Sequence, residues 1–206
     1  MYLKRLEVGV YGANCYILAD KKTKEAAVID PGGDARSIWE KVQEYNFILK
    51  YIILTHGHGD HIGGLKELKD LSNAPIYMHK EDLYLLEDKH KNHSAIMGGN
   101  VIEMSADAYV EDGEILDLGG LELNIIHTPG HTKGGICIYV NNIVFTGDTL
   151  FANSIGRTDL DGGDYNTIIS SIKNKLMSLD EQTTVLPGHG PATKIAVEKT
   201  TNPYIS

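Results

Sequence analysis

The chain has 206 residues, of which 42% are hydrophobic and 23% charged, and its formal net charge is −9. That length can bury a substantial core, and the composition is that of an ordinary soluble globular protein. The acidic balance argues against a general nucleic-acid binder, no apolar run approaches the ~18 residues of a membrane span, and the Met1–Glu7 stretch has no apolar signal segment.

The first strands are expected at residues 2–8, 13–19 and 25–30, separated by turns at Gly12–Asn14 and Asp20–Lys22. Asp34 then stands where it can cap a helix whose apolar positions are Ala35, Ile38, Trp39, Val42 and Tyr45. The apolar run Tyr51–Leu54 predicts a buried strand. Next comes Thr-His-Gly-His-Gly-Asp-His-Ile-Gly-Gly at 55–64, and after it Ile62, Leu65, Leu68 and Leu71 recur at helical spacing. A short strand at Pro75–Met78 and a short helix from Glu81 to Leu86 follow. Residues 87–105 form a polar stretch read as a surface excursion that lines a site entrance.

Strands resume at Ile115–Leu118, Leu121–His127, Ile136–Val140 and Ile143–Thr146. Asp164 precedes a helix with Ile168, Ile169, Ile172 and Leu176 on one face; Thr183–Leu186 is a last strand and Ala192–Lys199 a closing helix. No repeat or linker interrupts the pattern, so residues 1–206 are expected to form a single domain of α+β class, two packed sheets with helices outside. The two cysteines, Cys15 and Cys137, lie in apolar strands and read as small buried hydrophobes. A cytoplasmic location fits these features.

The chemistry concentrates between Thr55 and Gly64. His56, His58, Asp60 and His61 place three imidazoles and a carboxylate in six positions on a strand-to-helix turn. A single loop histidine is usually surface polarity; four ligand-type residues bounded by glycines are hard to explain so. His131, Asp148 and His189 each follow an apolar strand and an immediately preceding glycine, which lets the backbone turn closely beneath the side chain. Five histidines and two aspartates exceed one ion's shell. Two ions sharing a bridging carboxylate would use all seven, with Asp148 as the natural bridge. Imidazole and carboxylate suit zinc first, with iron or manganese as alternatives.

The His-x-His-x-Asp-His run, the isolated His131 and Asp148, and the late Pro-Gly-His-Gly at 187–190 resemble the metallo-β-lactamase superfamily over nearly the whole chain. The resemblance implies a four-layer αβ/βα metallo-β-lactamase sandwich with its site at one sheet edge. It also implies that His56, His58 and His131 hold a first ion, Asp60, His61 and His189 a second, and Asp148 both. Within the superfamily, the segment from Gly147 to Leu160 and the ending Pro187–Thr193 are similar to the short bacterial glyoxalase II branch. That similarity implies hydrolysis of a small 2-hydroxyacyl (lactoyl) thioester of a glutathione-type thiol. Asp60 would then orient the attacking hydroxide, and Arg157 would contact the substrate.

Arg157 has an equally open reading as a structural partner of Asp159 or Asp161. Asp159 itself replaces an aromatic of the longer enzymes, and little chain follows His189. Asp30 and Thr55 are expected to support the ligand histidines from behind. His79, His90, His93 and His127 have no partner at useful spacing and read as structural or surface residues. Alternatives within the same superfamily are an iron-dependent persulfide dioxygenase, whose single ion would sit on His56, His131 and Asp148, and a lactonase. A β-lactamase, a nuclease or a non-catalytic metal-binding module fits less well.

Overall fold

In the computed structural model, which describes residues 1–205, the two strand blocks form two six-stranded sheets packed face to face. The first sheet runs β1 (Tyr2–Val8), β2 (Ala13–Ala19), β3 (Glu25–Ile29), β4 (Ile48–Ile53), β5 (Ile76–His79) and β6 (Ala108–Val110). β1 to β3 pair antiparallel, and β3 to β6 pair parallel. Parallel neighbours need crossovers. These are supplied by α1 (Ala35–Glu44), by α2 (Gly59–Ile62) with α3 (Leu65–Ser72), and by a 3₁₀ turn at Lys80–Asp82 leading into α4 (Leu83–Leu86).

The second sheet begins as an antiparallel meander of β7 (Ile115–Leu118), β8 (Leu121–His127), β9 (Ile136–Val140) and β10 (Ile143–Gly147). β11 (Leu150–Phe151) and β12 (Ser154–Ile155) make a separate ribbon. α5 (Tyr165–Ser171), extended by a π turn at Ile172–Leu176, crosses over to β13 (Thr184–Pro187), which pairs parallel with β10. β14 (Thr193–Lys194) closes that edge and α6 (Ile195–Thr201) follows.

The period-two alternation of β2 explains the layering. Cys15 and Ile17 face outward into a cluster with Ile38 and Val42 of α1 and Leu65 and Leu68 of α3. Tyr16 and Leu18 face inward against Leu123, Ile125, Ile138 and Phe145 of the other sheet. On the far side Cys137, Val144 and Val185 pack on Ile168, Ile172, Leu176 and Ile195. Helix, sheet, sheet, helix is the expected αβ/βα sandwich. Both cysteines are buried and free, as their apolar settings predicted.

Local differences have local causes. The helix expected from Ile62 to Leu71 is two helices, broken where the Gly64 amide donates to the Pro31 carbonyl at 2.8 Å. Neither Gly63 nor Gly64 has room for a β-carbon against the carbonyls of Gly32 and Gly33. Leu71 is 40% exposed, beyond the buried face that the spacing assigned it. Asp34 occupies the N-cap position of α1 but makes no side-chain cap bond; its carboxylate accepts from the Gly9 amide at 3.0 Å and ties down the β1–β2 hairpin. β6, β11 and β12 were not foreseen, and β14 takes the start of the expected closing helix.

One buried carboxylate links the sheet edges. Asp82, fully buried at the end of the 3₁₀ turn, accepts the Gly57 amide at 3.1 Å, the Thr132 hydroxyl at 2.7 Å and the Gly134 amide at 2.6 Å. It therefore joins the loop after β4 to the loop after β8. Burial pushes its carboxyl up to about 6, against the pull of those three donors. Asp82→Asn turns an NH₂ group toward at least one donor and should cost about 1–3 kcal/mol at pH 7, read by denaturant unfolding. Because the folded pKa is raised, Asp82's titration adds stability that is complete below the unfolded value near 3.8 and is lost as pH rises through about 6. The gap between metal-free wild type and the variant should thus be wider at pH 5 than at pH 8, and equal gaps would contradict this.

Candidate metal centre

The centre is assembled from loops that leave one edge of the sandwich. Asp30 follows β3 in the left-handed region at φ 52°, which swings its carboxylate under the end of β4. There Oδ1 accepts the Thr55 amide at 2.7 Å, and Oδ2 accepts the Thr55 hydroxyl at 2.6 Å and His61 Nδ1–H at 3.0 Å. Thr55 Oγ1 also lies 3.1 Å from His56 Nδ1. Since the Thr55 hydroxyl gives its hydrogen to Asp30, His56 must donate from Nδ1, which leaves its Nε2 lone pair facing inward. The expected supporting roles of Asp30 and Thr55 are therefore present. On the opposite sheet, His131 Nδ1–H donates to the Arg157 carbonyl at 2.8 Å, again freeing Nε2.

The ligand-type atoms converge. His58 Nδ1 lies 3.0 Å from His131 Nε2, His61 Nε2 lies 3.3 Å from His189 Nε2, and His189 Nε2 lies 3.0 Å from Asp60 Oδ2. Asp148 stands between these groups, with Oδ1 3.3 Å from His61 and Oδ2 3.7 Å from His131 and 3.8 Å from His189. Donor atoms of His56, His58 and His131 fall within 4.8 Å of one another. So do those of His56, His61 and Asp148, and those of Asp60, His61 and His189. All seven residues singled out in the sequence meet in one corner.

The glycines that precede His131, Asp148 and His189 are all sterically required. At Gly130, with φ 128°, a β-carbon would strike the backbone of Ile168. At Gly147, with φ 46°, a β-carbon would strike the Thr55 side chain, and at Gly188 one would strike Asp148 and His61.

This geometry fits cations. Nitrogens bound to one tetrahedral zinc at roughly 2.0–2.1 Å stand about 3.3 Å apart, close to the 3.0 and 3.3 Å spacings seen here. His56 Nε2 is buried without a hydrogen-bond partner, and Asp148 Oδ1 has only its 3.3 Å ion-pair contact with His61, a costly state unless something else satisfies them. Protonation is also suitable. Burial, reinforced by the neighbouring imidazoles, holds His56 well below its ordinary value; burial and His131 bring His58 down to about 3. Burial lowers His131 as well. Asp60 and Asp148 stay ionised because the facing histidines outweigh burial. His61 is the exception. Burial opposes its charge, but Asp148, Asp60 and Asp30 together raise it well above normal, so that a proton takes the place of a cation.

The centre forms the floor of an open cavity of about 450 Å³, walled by Tyr11, Ile96, Met97 and Leu160. Residues 87–105 do line the entrance, through Asn92, His93, Ile96 and Met97. Arg157 reaches the same cavity, with its guanidinium engaged in a fork with Asp159, both bonds 2.7 Å.

Three findings lay beyond sequence reasoning. Asp82 was read only as part of a short helix. Buried Asn92 donates to the Leu85 and Ile102 carbonyls, both at 2.9 Å, and its own carbonyl accepts from Gly59 at 2.7 Å. His79 and His127, taken to lack partners, stack across the two sheets with centroids 3.9 Å apart and planes 11° apart. Glu81 stands close enough to complete a donor group with them. In-plane lone pairs of parallel rings cannot converge on one ion, so the pair is a clasp between sheets. His90 is exposed.

The chain matches the model of the metallo-beta-lactamase superfamily over residues 8–189. It is 37% identical to the protein named hydroxyacylglutathione hydrolase GloC of Haemophilus influenzae, covering 100% of this chain and 99% of that one. Among solved structures, BLEG-1 B3 metallo-beta-lactamase superposes with a TM-score of 0.93 at 37% identity over the whole of both chains. TTHA1623 in a di-iron-bound form superposes with a TM-score of 0.86 at 32% identity, over 98% of this chain and 99% of that one. Fold, converged donor set and matched span agree: this chain belongs to the metallo-β-lactamase superfamily and is a metallohydrolase.

Proposed function

We propose that this metallohydrolase cleaves a thioester, with an S-2-hydroxyacyl thioester of the lactoylglutathione type as its substrate class. The observation that carries the reading is the placing of Asp148 between two histidine-bearing donor groups at the floor of the cavity. The name of the Haemophilus influenzae relative supports the thioester class. His56, His58 and His131 would hold one divalent cation, Asp60, His61 and His189 a second, and Asp148 would reach both. Zinc fits this set first, and iron or manganese is compatible. Bound there, the pair supplies a hydroxide nucleophile near neutral pH and positive charge for the developing oxyanion.

The chain's own groups do the rest. Asp60 is kept ionised by His61 and His189, so it accepts a hydrogen bond from the attacking water and aims it. Asp30, Thr55 and the Arg157 carbonyl hold the imidazoles in single tautomers, so little reorganisation is needed as charge develops. The apolar walls from Tyr11, Ile96, Met97 and Leu160 suit the carbon skeleton of a substrate arm. A thiolate, whose ordinary pKa is ~8.5, departs without a dedicated acid. An amine leaving group would require one. Arg157, held in its fork by Asp159, keeps further N–H donors for a polar or anionic part of the thiol arm. We place the protein in the cytoplasm, acting on a small molecule, with the 206 residues as one domain.

The likeness to BLEG-1 gives β-lactam hydrolysis standing as a second reading. Protein reconstituted with zinc, and separately with iron, should cleave S-lactoylglutathione faster than a β-lactam, a lactone or glutathione persulfide. Stripping with a strong chelator should reduce turnover to background, and added metal should restore it. Turnover indifferent to exhaustive chelation, or confined to the β-lactam, would overturn the reading. Arg157→Ala should raise KM about fivefold, the equivalent of ~1 kcal/mol, with a smaller effect on kcat. An unchanged KM for the cognate thioester retires Arg157 as a substrate contact.

A further inference from the structure

Each of three ligand-type histidines has a partner for the nitrogen turned away from the centre: His56 has Thr55, His61 has Asp30, and His131 has the Arg157 carbonyl. His58 does not. Its Nδ1 points at His131, while its Nε2 is sealed from solvent with no hydrogen bond. Next to it lies a second imidazole in the same condition. His93 Nε2 is also buried without a partner, and the two rings are 5.8 Å apart between centroids, tilted by 38°. Among the described residues only four buried side-chain atoms lack hydrogen-bond partners: these two nitrogens, His56 Nε2 and Asp148 Oδ1. The last two face the metal centre; the first two belong to neighbouring rings.

His93 is not a casual occupant of its loop. Its backbone is left-handed at φ 65°, a conformation uncommon for residues other than glycine, asparagine, aspartate and histidine. It is held between two anchors. Asn92 ties the chain to Leu85, Ile102 and Gly59. Ser94 donates its amide to Asn92 Oδ1 at 2.8 Å and accepts the Ile102 amide at 3.0 Å. A bulky ring on a left-handed backbone, with its inner nitrogen buried beside a ligand, is strain retained for a contact.

We propose that His93 is the positioning residue of His58: its Nε2 accepts the Nε2–H of His58 through one water, or directly after a small rotation of the ring, and so fixes Nδ1 toward His56 and His131. Neutral His93, protonated at Nδ1, has the lone pair this requires. The proposal rests on the reading that His56, His58 and His131 hold an ion, because a ligand imidazole whose outer nitrogen is unsupported binds more weakly.

The test uses zinc alone as the probe, with affinity read by competition against a chromophoric chelator and folding by thermal melting of the metal-free protein. His93→Gly should weaken zinc retention roughly 10- to 100-fold, yet raise the melting temperature, because glycine relieves the left-handed strain. His93→Asn, which tolerates that backbone but is too short to reach His58, should weaken retention similarly. His93→Gln, long enough to accept the bond, should recover most of it. His58→Ala serves as the reference. If it loses tight zinc while His93→Gly and His93→Asn retain zinc like wild type, the proposal is wrong and the metal reading survives. If His58→Ala also retains zinc unchanged, the metal reading itself fails. A purely structural His93 would move the melting temperature without moving zinc affinity.

Discussion

Five imidazoles can crowd into one corner because a single buried carboxylate holds two of them from behind. Asp30 takes both the amide and the hydroxyl of Thr55 as well as His61 Nδ1, and through Thr55 it also sets His56. Its left-handed backbone makes this reach possible at the point where β3 ends. Without that acceptor the loop after β4 would have to bury an amide, a hydroxyl and one ring N–H unpaired, each at a cost of about 1–3 kcal/mol. The parallel pairing of β3 with β4 brings acceptor and donors to the same edge. Sheet topology and site chemistry are thus one constraint.

The electrostatics of the corner suit cations. Burial drives His56, His58 and His131 to their neutral forms, while Asp60 and Asp148 remain ionised beside an abnormally basic His61. The neutral rings of His58 and His131, with nitrogens 3.0 Å apart, can share at most one hydrogen bond. Supplied with divalent ions, the same arrangement gains ligand bonds at every position. Folding and metal binding are then linked, since the ions bind the folded chain far better than the unfolded one.

The candidate ligand residues were legible because ligand chemistry restricts residue type. Few side chains other than histidine and aspartate could stand at 56, 58, 60, 61, 131, 148 and 189, and the glycine turns before them are equally restricted. The layered fold was legible from the alternation in β2 and the helical periodicity of α1 and α5. What escaped were residues whose meaning is given only by distant neighbours. Asp82 is one acid among many in a polar stretch until Gly57, Thr132 and Gly134 are folded against it. Asp34 looks like a helix cap but is claimed by Gly9. His79 and His127 lie on different sheets, and no local spacing could pair them. The break at Gly63–Gly64 depends on the carbonyls of residues 31–33, which helical periodicity does not register.

Arg157 touches the centre in two separable ways. Its carbonyl orients His131, while its guanidinium lies outward with Asp159. A backbone carbonyl is contributed by every amino acid, so substitutions at this position that keep the backbone path leave the imidazole's orientation intact. The rim can therefore diversify by single substitutions while the hydrolytic machinery stays whole. The side chain at this position and the carbonyl beneath it are thus free to answer to different demands.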